Sequence, residues 1–218
     1  MKLEITVNLN KNPNKWNGLE GFANIVFDGQ YALENVQIKS KDRDCLYIVL
    51  PEIVKKTGER KEIFHPTTAH ARMELDKSIV QAYQNAKNGQ KKTEFTNDLP
   101  SMKINGVNSA QFERDNIVGL ANVKFSDCFV LEGAQIKIGQ YGEYVDMPKF
   151  RRNVMENGKY VYDEKRIPKA EYRAIFKPIT KESAAELKES VVNAFNQKYM
   201  NRSQHKEIID DYSNSKGR

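Results

Sequence analysis

The chain repeats itself once. Gly21-Phe22-Ala23-Asn24-Ile25-Val26-Phe27 returns 98 residues later as Gly119-Leu120-Ala121-Asn122-Val123-Lys124-Phe125. The likeness runs on from Leu33-Glu34-Asn35-Val36-Gln37-Ile38-Lys39 into Leu131-Glu132-Gly133-Ala134-Gln135-Ile136-Lys137, and 9 of these 19 aligned positions are identical. Further along, Tyr47-Ile48-Val49-Leu50-Pro51 answers to Tyr144-Val145-Asp146-Met147-Pro148, and Ile63-Phe64-His65-Pro66 to Ile175-Phe176-Lys177-Pro178. Leu75, Ser78, Val80 and Ala82 then match Leu187, Ser190, Val192 and Ala194. Matches kept in one order mean a duplicated unit, so a fold open to one half must be open to the other. Two copies at so long a period are too few for a solenoid. A length of 218 residues suits two small domains.

Within a unit the patterning is α+β. Phe22, Asn24 and Val26 alternate with Ala23, Ile25 and Phe27 in a strand that stops at the hairpin signal Asp28-Gly29. Ser126-Asp127 takes the turn position in the second unit. The return strand spans Tyr31 to Lys39, and a short apolar strand from Leu46 to Leu50 ends at Pro51. The first unit adds an alternating strand from Leu3 to Leu9. A helix closes each unit, from Thr68 to Lys87 and from Lys181 to Tyr199, with apolar residues at helical spacing. Thr68 and Thr180 sit where a hydroxyl caps the first turn. One helix over one face of an antiparallel sheet defines each unit. The boundaries are 1–88 for unit 1, 101–200 for unit 2 and 201–218 for a frayed polar tail. Asn88-Gly89-Gln90-Lys91-Lys92 and Asn97-Asp98-Leu99-Pro100-Ser101 read as linker.

Charge points to an anionic partner. The net charge is +6, which favours nucleic acid or an acidic protein surface. Residues 149–173 hold eight Lys or Arg against four acids. The candidate contacts there are Lys149, Arg151, Arg152, Lys159, Lys165 and Arg166. Asn157-Gly158 predicts a projecting hairpin between strands 151–155 and 159–163. Tyr160, Tyr162 and Tyr172 interleave with the charges, and aromatic faces beside phosphate-neutralising cations suit single strands. A basic hairpin also suits a duplex groove; a solvated hairpin with its tyrosines packed on the domain is the plain alternative. Unit 1 has a shorter counterpart in Lys55, Lys56, Arg60 and Lys61, and Arg72 on the helix is a further candidate.

Nothing points to catalysis. There is no phosphate loop, nucleophile elbow or paired dinucleotide glycines, so no cofactor is expected. His65 and His70 lack cysteines at ligand spacing, so no zinc site is expected either. His65 before Pro66 reads as a structural hydrogen-bonding residue, and Gly139-Gln140-Tyr141-Gly142 as a turn. Cys45 and Cys128 are too few for a disulfide framework, fit a reducing cytoplasm, and read as small buried apolar residues. No apolar run reaches about 18 residues and no secretory signal is visible, so no membrane association and a cytoplasmic location are expected.

The order of these short motifs resembles the SpoVG family, also called septation protein G. The residues that carry the likeness in unit 1 are Leu50-Pro51, Lys55-Lys56-Thr57-Gly58, Ile63-Phe64-His65-Pro66 and Arg72. In unit 2 they are Met147-Pro148-Lys149-Phe150-Arg151-Arg152, Asn157-Gly158 and Phe176-Lys177-Pro178. The resemblance covers roughly residues 3–87 and 104–199. It implies a sheet-and-helix subunit that dimerises, binds DNA or RNA and regulates expression without catalysis. A tandem chain then looks like a fused dimer, its halves held at high effective concentration. The chain departs from the family at Lys177, where unit 1 has His65, and at Leu50 in place of Met. Unit 2 also carries an insertion, since Pro148 and Pro178 are 30 residues apart but Pro51 and Pro66 only 15. An adaptor or inhibitor that docks on an acidic protein is the alternative function. Further oligomerisation through an unpaired edge strand stays open.

Overall fold

The structure is a computed structural model that describes residues 1–11, 18–41, 45–54, 57–156 and 159–215, with residues 159 and 200–215 described as backbone. Unit 1 runs β1 (Lys2–Leu9), β2 (Leu19–Phe27), β3 (Tyr31–Ser40), β4 (Leu46–Val49), β5 (Glu52–Val54), β6 (Arg60–Glu62), β7 (Phe64–Pro66) and α1 (Ala69–Lys87). The connecting segment forms β8 (Lys92–Thr96). Unit 2 runs β9 (Ile104–Arg114), β10 (Ile117–Phe125), β11 (Phe129–Gly139), β12 (Gly142–Asp146), β13 (Lys149–Asn153), β14 (Met155–Glu156), β15 (Lys159–Tyr160), β16 (Ala170–Ala174), β17 (Phe176–Pro178) and α2 (Lys181–Ser215). Each half is thus an antiparallel sheet with a closing helix, the α+β architecture expected.

The duplication reaches down to backbone detail. Both β-hairpins turn on two residues with positive φ, Asp28 and Gly29 in one half, Ser126 and Asp127 in the other. That conformation matches the twist of paired strands. Both hairpins shift register at the same places, between Ala23 and Ile25 and between Ala121 and Val123. The repeated asparagine explains itself there. Asn24 Oδ1 accepts the backbone N–H of Asn35, and Asn122 Oδ1 that of Gly133. Asn35 and Gly133 both have positive φ, so each bulge is held by the same side chain. The helix caps also agree: Thr68 Oγ1 accepts from Ala71 N at 3.1 Å, and Thr180 Oγ1 from Ser183 N at 3.0 Å.

The halves exchange strands. β7 of unit 1 pairs with β11 of unit 2, and β17 of unit 2 pairs with β3 of unit 1. The first sheet therefore reads β17-β3-β2-β1-β8, with β4 also on β3; the second reads β12-β11-β10-β9, with β7 on β11. Symmetric backbone bonds flank both insertions, from Glu34 N to Ile175 O and from Glu132 N to Ile63 O, each 2.7 Å. Where the strands cross, four fully buried rings stack in a column that alternates between the units: Tyr31, Phe176, Phe64, Phe129. Neighbouring centroids lie 5.1–5.4 Å apart. Phe27 and Phe125 tilt against this column from either side. One continuous core serves both halves, so the chain is a pseudo-dimer whose contact surface is its interior.

Several local expectations change. The connecting segment is not all linker, because β8 pairs with β1 from Lys92 to Thr96. Unit 2 has a first strand, β9, that its sequence hides: Ser109 is the buried residue of a largely exposed strand, so the apolar alternation is missing. α2 continues to Ser215 rather than ending at Tyr199; residues 200–215 hold no proline or glycine to stop it. Cys128 is buried as expected but Cys45 is exposed, at the chain's entry to β4 rather than in a core position. His65 lies on β7 with Nε2 4.0 Å from Glu132, an ion-pair distance and too long for a hydrogen bond. Among the described residues, no helix is long and apolar enough to cross a membrane.

Candidate nucleic-acid interface

The insertion in unit 2 folds as an arm. β13 pairs with β16, placing Arg151 opposite Tyr172 and Arg152 opposite Glu171. This corrects the expected pairing of 151–155 with 159–163 over residues 151–153. Met155 and Glu156 do pair with Tyr160 and Lys159, and Val161 N donates to Val154 O at 3.0 Å, while Val154 N reaches Lys169 O at 2.8 Å. After β15 the chain pairs with the segment before β16, through the bridge of Tyr162 with Pro168 and the bonds from Lys169 N to Val161 O at 2.8 Å and Asp163 N to Ile167 O at 2.9 Å. The Asn157-Gly158 turn lies outside the described residues.

The root of the arm fixes where it hangs. β16 leads directly into β17, which is bonded beside β3 in the sheet of unit 1. Strand exchange thus carries a unit 2 insertion over the outer face of the unit 1 sheet. Between arm and sheet lies a groove of about 780 Å³. Its arm side presents Arg151, Arg152 and Arg173 with Phe150 and Tyr160; its sheet side presents Phe22 with Asn8, Asn24 and Gln37.

The predicted cations divide by how far they are already committed. Arg151 and Arg152 are exposed and have no ion-pair partner among the described residues. Lys149 is held by Asp146 at 2.8 Å, and Lys137 reaches the same carboxylate at 2.7 Å. Burial alone would push the Asp146 carboxyl up, but the hydrogen bonds and charges of Lys137 and Lys149 outweigh it and hold the group below the usual range. Lys165 and Arg166 sit exposed at the arm's far loop, where Asp163 Oδ1 accepts the N–H groups of Lys165 and Ile167. Lys159 lies on β15. Arg173 pairs with Glu171 at 2.8 Å.

Unit 1 offers less. Lys55 and Lys56 lie outside the described residues. Arg60 pairs with Glu52, and Lys61 with Glu132 of the other unit. Arg72 spends its guanidinium on Glu62 at 3.0 Å, Asp76 at 2.8 Å and the Ile48 carbonyl at 2.9 Å. It ties the helix to β4 and β6 instead of facing a ligand. The structure therefore brings together Arg151, Arg152 and, near them, Lys149, and leaves the other candidates apart.

One expectation is met and one feature is new. The arm's tyrosines do not pack on the domain: Tyr172 is 69% exposed, Tyr162 53% and Tyr160 43%. The sheet floor is the feature that the sequence did not announce. Its signal is the alternation in β2, which turns Phe22 outward among polar neighbours while Ala23 and Ile25 point to the core.

Comparison with known proteins agrees with the architecture. The SpoVG family model matches twice, over residues 2–85 and 102–197. A relative from Treponema denticola, named septation protein SpoVG, is 38% identical over 68 residues. Those residues are 31% of this chain but 72% of the relative, which is therefore about the size of one unit. Proteins of the same name from Clostridium novyi and Clostridium beijerinckii are each 26% identical, across 69% and 74% of their own length and 32% and 31% of this chain. The chain belongs to the SpoVG family, as a tandem duplication of its unit.

Proposed function

We propose that this chain is a regulatory protein that binds DNA or RNA and performs no catalysis. The observation that carries the reading is the arm: Arg151 and Arg152 stand exposed and uncommitted beside exposed tyrosines, opposite a polar sheet face. Cations without internal partners are available to replace counterions on a phosphate backbone. Aromatic side chains next to them accept bases. Family membership supports the same reading. Lys165 and Arg166 at the far loop extend the basic surface outward and would meet neighbouring phosphates.

The test is a mobility shift or anisotropy titration with random DNA and RNA at several salt concentrations. Binding should fall steeply as salt rises. The triple variant Lys149→Ala, Arg151→Ala, Arg152→Ala should weaken it, with the two arginines responsible for most of the loss because Lys149 is already paired. Affinity unchanged in that variant would remove the arm from the site. A stable protein partner recovered from nuclease-treated lysate, with no binding to either nucleic acid, would favour the adaptor reading instead.

A further inference from the structure

We propose that the groove between the arm and the unit 1 sheet receives a single-stranded segment, with a base stacked on Phe22 and its phosphates against Arg151 and Arg152. This rests on the nucleic-acid reading above and specifies its ligand and its second wall. The duplication supplies an internal control. In the unit 1 sheet, Phe22 lies opposite Asn8 on one side and Gln37 on the other. The ring is half-buried in the floor of the groove, with an amide on each flank. In the unit 2 sheet the same three positions are Leu120, Ala110 and Gln135. The face that lies under the arm carries a ring and two amides; its twin, on the same backbone with the same bulges, carries a leucine, an alanine and one amide.

That set of groups fits a splayed strand. A planar ring takes the face of any base, and amides donate to and accept from base edges. A duplex hides the base faces and offers only groove edges, so it has no use for a ring on a sheet floor. The groove has the volume of a site for a compact ligand, which suits a few nucleotides and not a helix. Its charge fits a phosphate backbone. Three arginines line it against one acid, Glu34; Glu34 is paired with Lys177 and Arg173 with Glu171, which leaves Arg151 and Arg152 as the open charges. Nor is the floor a packing surface for the arm, because Asn24 beside Phe22 stays exposed.

The experiment uses the full chain and labelled strands of about 12 nucleotides, oligo(U) and oligo(dT), with a blunt duplex of matched length. The variant carries Phe22→Leu with Asn8→Ala, which installs the residues that unit 2 already accommodates on the same frame. Its urea midpoint reports that it folds. Its affinity for the single strands should fall about tenfold, in line with loss of one stacked base, and its affinity for the duplex should hold. Arg151→Ala with Arg152→Ala should weaken both. Single-strand affinity unchanged by Phe22→Leu with Asn8→Ala, but reduced by the arginine pair, would overturn the groove and leave the arm as a nucleic-acid contact. Failure of the native chain to bind any strand or duplex would sink the functional reading, and the groove with it. An acidic peptide that displaces the strand at lower concentration than unlabelled strand does would also overturn it.

Discussion

The two halves share a backbone and differ in what they hang on it. In unit 1 the excursion between the two prolines is short, and β5 and β6 pair over three residues each. Its cations Arg60 and Lys61 are closed off by Glu52 and Glu132. In unit 2 the excursion is long, and Arg151 and Arg152 are left open. The floors differ in the opposite sense, with the ring on unit 1. Neither half alone holds both walls of the groove. Duplication kept the frame, including bulges and caps, while the residues that point away from the core diverged. Function is therefore to be sought where the halves disagree.

The largest expected effect tests the part they share. Phe64→Ala and Phe176→Ala each remove a fully buried ring from the crossing column, and each should cost about 3–5 kcal/mol. Urea unfolding should stay a single transition with a lowered midpoint, because each half completes the other's sheet. Two separated transitions would break the comparison by showing independent units.

Next comes the contrast between the two basic clusters. Arg151→Ala with Arg152→Ala should reduce the slope of log affinity against log salt by about two, roughly one for each phosphate that is no longer neutralised. Arg60→Ala with Lys61→Ala should change it little, since those cations already face carboxylates. Equal losses from both pairs would show that internal ion pairing does not decide which half binds.

A smaller effect concerns the helices. Tyr83 on α1 donates to Glu20 at 2.8 Å, and Glu20 also accepts from Ser40. Unit 2 puts Phe195 at the matching place, over Gly119, where a Cβ would come within 2.6 Å of the ring. Tyr83→Phe should cost about 1–2 kcal/mol, as a hydrogen bond to a carboxylate is removed. Burial first, and then the Glu20 carboxylate, push the Tyr83 hydroxyl up to about 12. A raised value favours the neutral phenol in the folded state. Its stabilising contribution is thus complete below the ordinary tyrosine range, near 10, and lost as pH rises through about 12. Denaturation midpoints of the native chain should fall over that interval, and those of Tyr83→Phe should fall less.

The smallest effect sits at the crossing itself. Lys177 faces Glu34 at 2.5 Å across one junction, and His65 faces Glu132 at 4.0 Å across the other. Lys177→Ala and His65→Ala should each change stability by less than about 1 kcal/mol, since both pairs are partly solvated. A larger loss at Lys177 alone would mark that junction as the stronger.

What can be read from the residues follows from the range of the forces involved. Asp28-Gly29, the two capping threonines and the helical spacing of Leu75 and Ile79 act over a few positions, so each announces itself locally. β7 and β17 do not. Each is three residues long, and their partners lie at Leu131 and Leu33 in the opposite unit. No periodicity develops in so short a strand, and only tertiary pairing gives it a place. β9 is hidden because Ser109 and Gln111 stand where β1 has Val7 and Leu9. The arm shows itself as charge, but its register is set by the Lys149-to-Ala174 ladder and not by the nearest turn. The groove has one legible wall. The other requires knowing which sheet the arm overhangs, and that depends on the exchange.

Strand exchange in a joined chain also fixes how many such grooves there are. A pair of identical subunits related by a twofold axis must display every surface feature twice or not at all. Here the overhanging insertion belongs to one copy and the ring beneath it to the other, so the composite exists in a single instance. A titration should therefore saturate at one strand per chain, and the molecule has a direction: a fixed front and back that no symmetric ancestor of it would possess.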